Sequence, residues 1–236
     1  MFRASHADSR FASTGRYEIK FNAIESSFES ALHQLRLDPA MFRRTYPQRV
    51  IQSLYFDNHD LEAFEENVSG VSSRAKLRLR WYSSNFDVNR ATLELKVRRN
   101  RLGWKSQSDV SLTTPLGQLS FEELIRELHA QVTPSLSQIL SLSPYPVQIN
   151  KYTRDYFETS DGKVRATIDT KLEFFDQRFS RCPSASRKVS GPSILVLEFK
   201  AASEYFDEIQ RVVSRVPWPR SRNSKYVIGL SAAMGF

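Results

Sequence analysis

Arg74, Lys76, Arg78 and Arg80 alternate with Ala75, Leu77, Leu79 and Trp81. In a β-strand successive side chains point to opposite faces, so this segment puts four cations on one face and four apolar groups on the other. Shorter versions recur along the chain. Arg16, Glu18 and Lys20 share a face, and so do Glu94, Lys96 and Arg98. Arg165, Thr167 and Asp169 form another row, Glu198 and Lys200 end the segment 194–200, and Arg154 stands on a further strand, 152–154. Guanidinium groups offer planar, multi-donor contacts to phosphate oxygens, and ammonium groups supply compact charge. Rows of this kind are suited to binding and positioning a multiply charged anion.

Neighbours on one strand face lie roughly 7 Å apart. Two like charges at that spacing repel by about 0.6 kcal/mol in water and about 2.4 kcal/mol at an effective dielectric near 20. Four cations in a row are therefore tolerable on a wet face. In a partly enclosed space they need carboxylates or an anionic ligand. One reading is a half-buried sheet whose polar face is in water. The other is a closed sheet: the charged faces then line a lumen that funnels polyanions, the apolar faces meet outer helices, and no edge is left exposed.

The elements that must position these rows can be read from local signals. Ser26 with Glu29, and Ser120 with Glu123, have capping-box spacing, and Leu119 and Leu124 flank the second box as a hydrophobic staple. Thr133–Pro134 starts a third helix, because proline is tolerated at the first helical position. Ser203 opens a fourth, with Phe206, Ile209, Val212, Val213 and Val216 at helical spacing until Pro217. The stretch 176–192, rich in Ser, Arg, Pro and Gly, reads as a mobile loop. Residues 1–14 read as a flexible tail and 15–236 as one domain of α+β class, a closed antiparallel β-barrel with flanking helices. The 34 Lys+Arg against 26 Asp+Glu leave a net charge of +8 and point to an anionic partner without choosing one. Cys182 is the only cysteine, which excludes an intramolecular disulfide and a cysteine metal cluster. The polar first fifteen residues lack the apolar core of a secretory signal, and the longest apolar run, 194–197, is too short to span a bilayer. Soluble, cytoplasmic placement is the expectation.

At this level the chain resembles the catalytic domain of the vacuolar transporter chaperone (VTC) family of polyphosphate polymerases, which belong to the CYTH-like triphosphate tunnel metalloenzymes. The resemblance rests on pieces in family order: Arg16-Tyr17-Glu18-Ile19-Lys20, Ser53-Leu54-Tyr55-Phe56-Asp57, Arg78-Leu79-Arg80-Trp81-Tyr82, Leu93-Glu94-Leu95-Lys96, Tyr152-Thr153-Arg154, Val164-Arg165-Ala166-Thr167-Ile168-Asp169, Leu197-Glu198-Phe199-Lys200 and Ser224-Lys225-Tyr226. Each piece alone is weak; their ordered combination, over residues 16–230, is specific. It implies a strand-built tunnel that binds a nucleoside triphosphate tail with a divalent metal, Mn²⁺ or Mg²⁺. It implies Lys20, Arg78, Arg80, Lys96, Arg154, Arg165, Lys200 and Lys225 as phosphate-binding cations, with Lys105 as a further one. Of these, Lys20, Arg78, Arg80, Lys96, Arg165 and Lys200 would act on the reacting phosphates. Glu198 would bind the metal, with Glu18 as a second metal group and Glu94 in support.

The implied activity is transfer of the ATP γ-phosphate to a growing polyphosphate chain. ATP and polyphosphate would be the partners, with no specific nucleic-acid recognition and room for a separate membrane protein. A triphosphate hydrolase on the same fold, or a polyanion-binding module without catalysis, remain the alternatives. Hydrolytic members carry Glu-x-Glu-x-Lys on the first strand, and Arg16 replaces the first Glu here, which favours the polymerase branch. The helical phosphate-sensing domain and the transmembrane segment of eukaryotic members have no counterpart in this sequence. His6, His33, His59 and His129 fall outside the matched strands and read as ordinary surface or partly buried groups. Tyr55, Phe56, Trp81 and Trp104 read as packing groups, although Trp104, beside Gly103, could touch a base. Asp169 reads as an ion-pair partner of Arg165 or Lys171, Glu198 alternatively as a solvated strand end, and 98–101 as a solvated turn.

Overall fold

A computed structural model of the chain describes residues 16–99, 102–222 and 224–235. The tail 1–14 and the last two residues of the 98–101 turn, 100 and 101, lie outside them. Ten strands are present among the described residues: β1 (Arg16–Ile24), β2 (Arg43–Asp57), β3 (Ser73–Trp81), β4 (Arg90–Arg99), β5 (Leu102–Ser111), β6 (Tyr145–Glu158), β7 (Val164–Asp176), β8 (Lys188–Val189), β9 (Ile194–Ala202) and β10 (Arg220–Ser221). Every pairing is antiparallel, and the neighbours run β1–β5–β4–β3–β2–β6–β7–β9 and back to β1. Eight strands thus form a ring. Its thinnest seam among the described residues is β1–β5, paired there at Arg16 and Gly103.

The alternation read from the sequence decides which side is which. Leu77, Leu79 and Trp81 of β3, Leu93 of β4, and Leu54 and Phe56 of β2 point outward. They pack under α3 (Phe121–Gln131) and α4 (Pro134–Leu142). Phe21, Ala166, Ile168, Leu197 and Phe199 do the same under α1 (Phe28–Arg36) and α5 (Phe206–Val213). The two main apolar clusters therefore lie outside the ring, and the polar alternates are left to face inward. A third cluster joins Tyr55 and Val147 to α2 (Glu62–Val68) and α6 (Lys225–Met234).

The capping box at Ser120 and the Thr133–Pro134 start form as expected. The box at Ser26 does not form. The chain enters α1 through a 3-10 turn at Glu25–Ser27, whose Glu25 carboxylate accepts from Lys171 N and Ser193 Oγ instead. The helix expected at Ser203 opens as a 3-10 turn and becomes α-helical only from Phe206 to Val213. The stretch 176–192 is tied down rather than loose. Buried Gln177 bonds both ways with Ser184, and β8 pairs with β7 within it.

Helices α2 and α6 carry weaker local signals. The amides of Ala63 and Phe64 donate to the Asp57 carboxylate, so the cap of α2 comes from the end of β2. Ser224 caps α6, and Gly235 ends it at φ 84°. Gly229 lets α6 lie against Phe174 and Gln148: a Cβ there would fall 2.4 Å from the Phe174 ring. The first residues of α6 thereby reach the inner side of the ring.

Candidate functional site

The cations of the inner face are gathered around four carboxylates, of which Glu94, Asp169 and Glu198 are buried and Glu18 is half-buried. Glu94 accepts from Arg78 Nε and Nη2 at 2.9 and 2.6 Å, with Arg80 Nη1 at 3.5 Å and Lys105 Nζ at 3.7 Å. Cross-strand pairing of Arg78 with Glu94 sets this group up. Glu18 holds Lys20 at 2.8 Å and, across the ring, Lys96 at 2.7 Å. Glu198 lies 3.0 Å from Lys200 and 3.6 Å from Arg154. Asp169 takes Arg154 at 2.5 and 2.7 Å and Lys225 at 2.6 Å.

Asp169 was expected to pair with Arg165 or Lys171. Both of those are exposed, and the register instead sets Asp169 opposite Arg154. Glu198 is no solvated strand end, being only 4% exposed. Arg165 is brought beside Lys200 by the β7–β9 pairing, but its exposure puts it at the rim with the half-exposed Lys105.

The charges bias one another strongly. Burial opposes ionisation of Glu94, yet Arg78 and Arg80 outweigh it and lower its pKa to about 2. Burial likewise opposes ionisation of Asp169, and Arg154 with Lys225 holds it well below the carboxylate range. Glu18 is held low against burial by Lys20, Lys96 and Lys200. Lys96 moves the other way: burial, with the nearby Lys20 and Lys200, overcomes Glu18 and lowers it to about 8.

Three inward groups escaped the sequence reading of the site. Lys76, on the same face as Arg78, donates to Ser224 Oγ at 2.8 Å, and burial beside Lys20 and Lys96 pulls its pKa well down. Strand parity puts it on this face with its neighbours, but the resemblance does not name it among the phosphate-binding cations. Tyr55 packs as expected, stacked on Tyr226 at 4.9 Å, but its hydroxyl also accepts from Arg78 at 3.2 Å. Tyr152 lies under Arg154 and Lys225, 5.3 and 4.6 Å from its ring centre. Phe56 and Trp81 are buried packing groups. His33, His59 and His129 lie on α1, in the turn before α2 and on α3, away from the inner face.

The donor set fits one hard divalent cation. Glu198 Oε1 is buried and faces the Lys200 ammonium at 3.0 Å without a well-aligned hydrogen bond, and Glu18 stands close enough to oppose the ionisation of Glu198. A small divalent ion is often held by one or two carboxylates and otherwise by substrate phosphates. Among the described residues no group of three or more His, Cys, Asp or Glu could hold a metal alone. No helix among them is long and apolar enough to cross a membrane.

Comparison with known proteins agrees with the residues. The vacuolar transporter chaperone complex subunit 4 of Schizosaccharomyces pombe is 26% identical over 147 residues, 52% of this chain and 20% of that protein. The chain thus matches a fifth of that relative's length. Solved structures give fainter likenesses. The PH1819 protein of Pyrococcus horikoshii superposes with a TM-score of 0.44 at 12% identity, covering 90% of this chain and 96% of that one. A Vibrio parahaemolyticus protein named for adenylate cyclase gives 0.48 at 10% identity, covering 91% and 98%. Residues 12–234 match the VTC domain, and the chain belongs to the VTC domain family.

Proposed function

We propose that the chain is a polyphosphate polymerase, a phosphotransferase that moves the γ-phosphoryl group of ATP onto the end of an inorganic polyphosphate chain inside a strand-built tunnel. The observation that carries this reading is the inner face of the ring. Among the described residues the eight cations Lys20, Lys76, Arg78, Arg80, Lys96, Arg154, Lys200 and Lys225 gather there around the four carboxylates Glu18, Glu94, Asp169 and Glu198, so positive charge is in excess for a polyanion. Membership of the VTC domain family supports it.

Phosphoryl transfer is mainly positioning and charge stabilisation. Arg78 and Arg80, splayed by Glu94, present guanidinium forks to β- and γ-phosphate oxygens. Lys20, Lys96 and Lys200 hold the incoming chain in line with them. A terminal polyphosphate oxygen forms the new bond to the γ-phosphorus, the bond to the bridging β–γ oxygen breaks, and ADP leaves with that electron pair. The attacking oxygen is already ionised near neutral pH, so no general base is required. This agrees with an inner face that carries none of the described histidines. Glu198, with Glu18 beside it, would hold Mn²⁺ or Mg²⁺, which would supply neutralisation of phosphate charge. A cytoplasmic setting and a separate membrane partner are part of the same proposal.

The test is incubation with ATP and Mn²⁺ or Mg²⁺, read by gel electrophoresis and phosphorus NMR, alongside Glu198→Ala and Arg78→Ala. Long phosphate chains and ADP, lost in both variants, are expected. Free phosphate without chains would make the protein a hydrolase. Intact ATP would leave a polyanion-binding module.

A further inference from the structure

At the end of the ring where β2 begins and β6 finishes, three tyrosines surround one arginine. The Arg49 guanidinium carbon lies 5.2 Å from the Tyr46 ring centre, 5.8 Å from Tyr82 and 5.7 Å from Tyr156. Tyr46 and Tyr156 meet edge to face, with centres 5.7 Å apart and planes at 81°. The group is open to solvent: Tyr46 is 53% exposed and Tyr82 55% exposed, and neither belongs to an apolar cluster. Among the described residues no carboxylate pairs with Arg49. Exposed aromatic rings around a guanidinium have no folding role here comparable to that of buried Trp81.

Register ties this group to the phosphate site. Arg49 stands opposite Arg154, and Tyr46 opposite Tyr156. Tyr156 is two residues beyond Arg154 on the same strand face, a step of roughly 7 Å. Thr167, its other neighbour, stands opposite Glu198. Tyr82 follows directly on the end of β3, on the side of Arg80. The cluster therefore sits at the rim, one side-chain step outside the cations that would hold a triphosphate.

We propose that Tyr46, Arg49, Tyr82 and Tyr156 form a stacking platform for the base of a nucleotide whose phosphates enter the ring at Arg154. The inference rests on the phosphate-site reading above and deepens it by naming where the nucleoside goes. Base faces stack on tyrosine rings and on guanidinium planes without needing a specific hydrogen-bond pattern. The platform therefore favours nucleotides over inorganic phosphates without selecting strongly among bases.

The experiment compares two ligands that share a triphosphate and differ in the base. Calorimetric titration measures ATP and inorganic tripolyphosphate on the wild type, on Tyr46→Ala/Tyr82→Ala and on Tyr46→Phe/Tyr82→Phe. Both positions are more than half exposed, so the substitutions leave the core intact. The alanine pair is expected to weaken ATP about 10-fold or more, in the range for losing base stacking, and tripolyphosphate less than about 2-fold. The phenylalanine pair, which keeps the rings, is expected to restore ATP binding. Equal losses for both ligands, or no loss of ATP affinity, would overturn the platform while leaving the phosphate site standing. If the wild type bound neither ligand, the phosphate-site reading would fail and the platform with it.

Discussion

Asp169 offers the sharpest test of how the inner face is held together. It is fully buried, takes both Nε and Nη2 of Arg154, and takes Lys225 from the start of α6. Asp169→Asn keeps the shape and removes the charge, leaving two enclosed cations without their main counterion. Removing one partner of a buried ion pair costs about 3–5 kcal/mol, because the remaining charge is not resolvated. In a domain of this size each kcal/mol lowers Tm by about 2–4 °C, so a fall of roughly 6–20 °C is expected. The freed cations should then welcome a polyanion. Saturating tripolyphosphate should raise Tm more in the variant than in the wild type, recovering a substantial part of the loss. Thermal unfolding with and without tripolyphosphate reads both effects. A variant within about 2 °C of wild type, or one that tripolyphosphate stabilises no more than wild type, would show that Asp169 is not the counterion of this face.

The other carboxylate nodes and the α6 contact make further predictions. Glu94 has a folded pKa of about 2, against about 4.3 unfolded. Its contribution to stability is complete above the unfolded value and is lost as pH falls toward 2, so the Tm gap between wild type and Glu94→Gln should narrow across that window. Gly229→Ala should lower stability by about 2 kcal/mol in denaturant titration, since overpacking against Phe174 costs about 3 and helix propensity returns about 1. Tyr226→Phe removes a hydroxyl that donates to Asp57, the carboxylate that also caps α2. A loss of about 2 kcal/mol is expected by the same titration, with tripolyphosphate affinity unchanged.

Much of this arrangement could be read from residue types, because a strand's period of two is enforced by the backbone itself. Arg74 to Trp81 could sort its cations from its apolar groups only one way once one face had to be buried, and Leu77 and Leu79 are buried as that required. The capping box at Ser120 was legible because both partners lie within four residues. What escaped were the pairings set by distant contacts. The cap of α2 is a carboxylate five residues upstream on another element, and the α1 start is fixed by Glu25 bonding to β7. Asp169 was assigned partners near it in sequence, Arg165 and Lys171. Cross-strand register overrode proximity and gave it Arg154 from β6 and Lys225 from α6. The Tyr46–Arg49–Tyr82–Tyr156 group joins three elements and carries no local motif at all.

The four carboxylates explain how such a face can fold before any ligand arrives. Each is buried enough that ionising alone would be costly, and each is flanked by at least two cations that make the charged state the stable one. Cations and carboxylates thus hold one another in place, and under the proposed function an incoming phosphate chain would have to exchange with a carboxylate for part of each cation's donors. The exchange is easiest where the hold is weakest. Lys105 lies 3.7 Å from Glu94, whereas Arg78 is fixed to Glu94 and Arg154 to Asp169 by two short bonds each. A polyanion should therefore engage Lys105, Lys200 and exposed Arg165 at the rim first. It would reach the tightly held Arg78 and Lys20 only as it displaces their carboxylates, which couples depth of entry to charge on the chain.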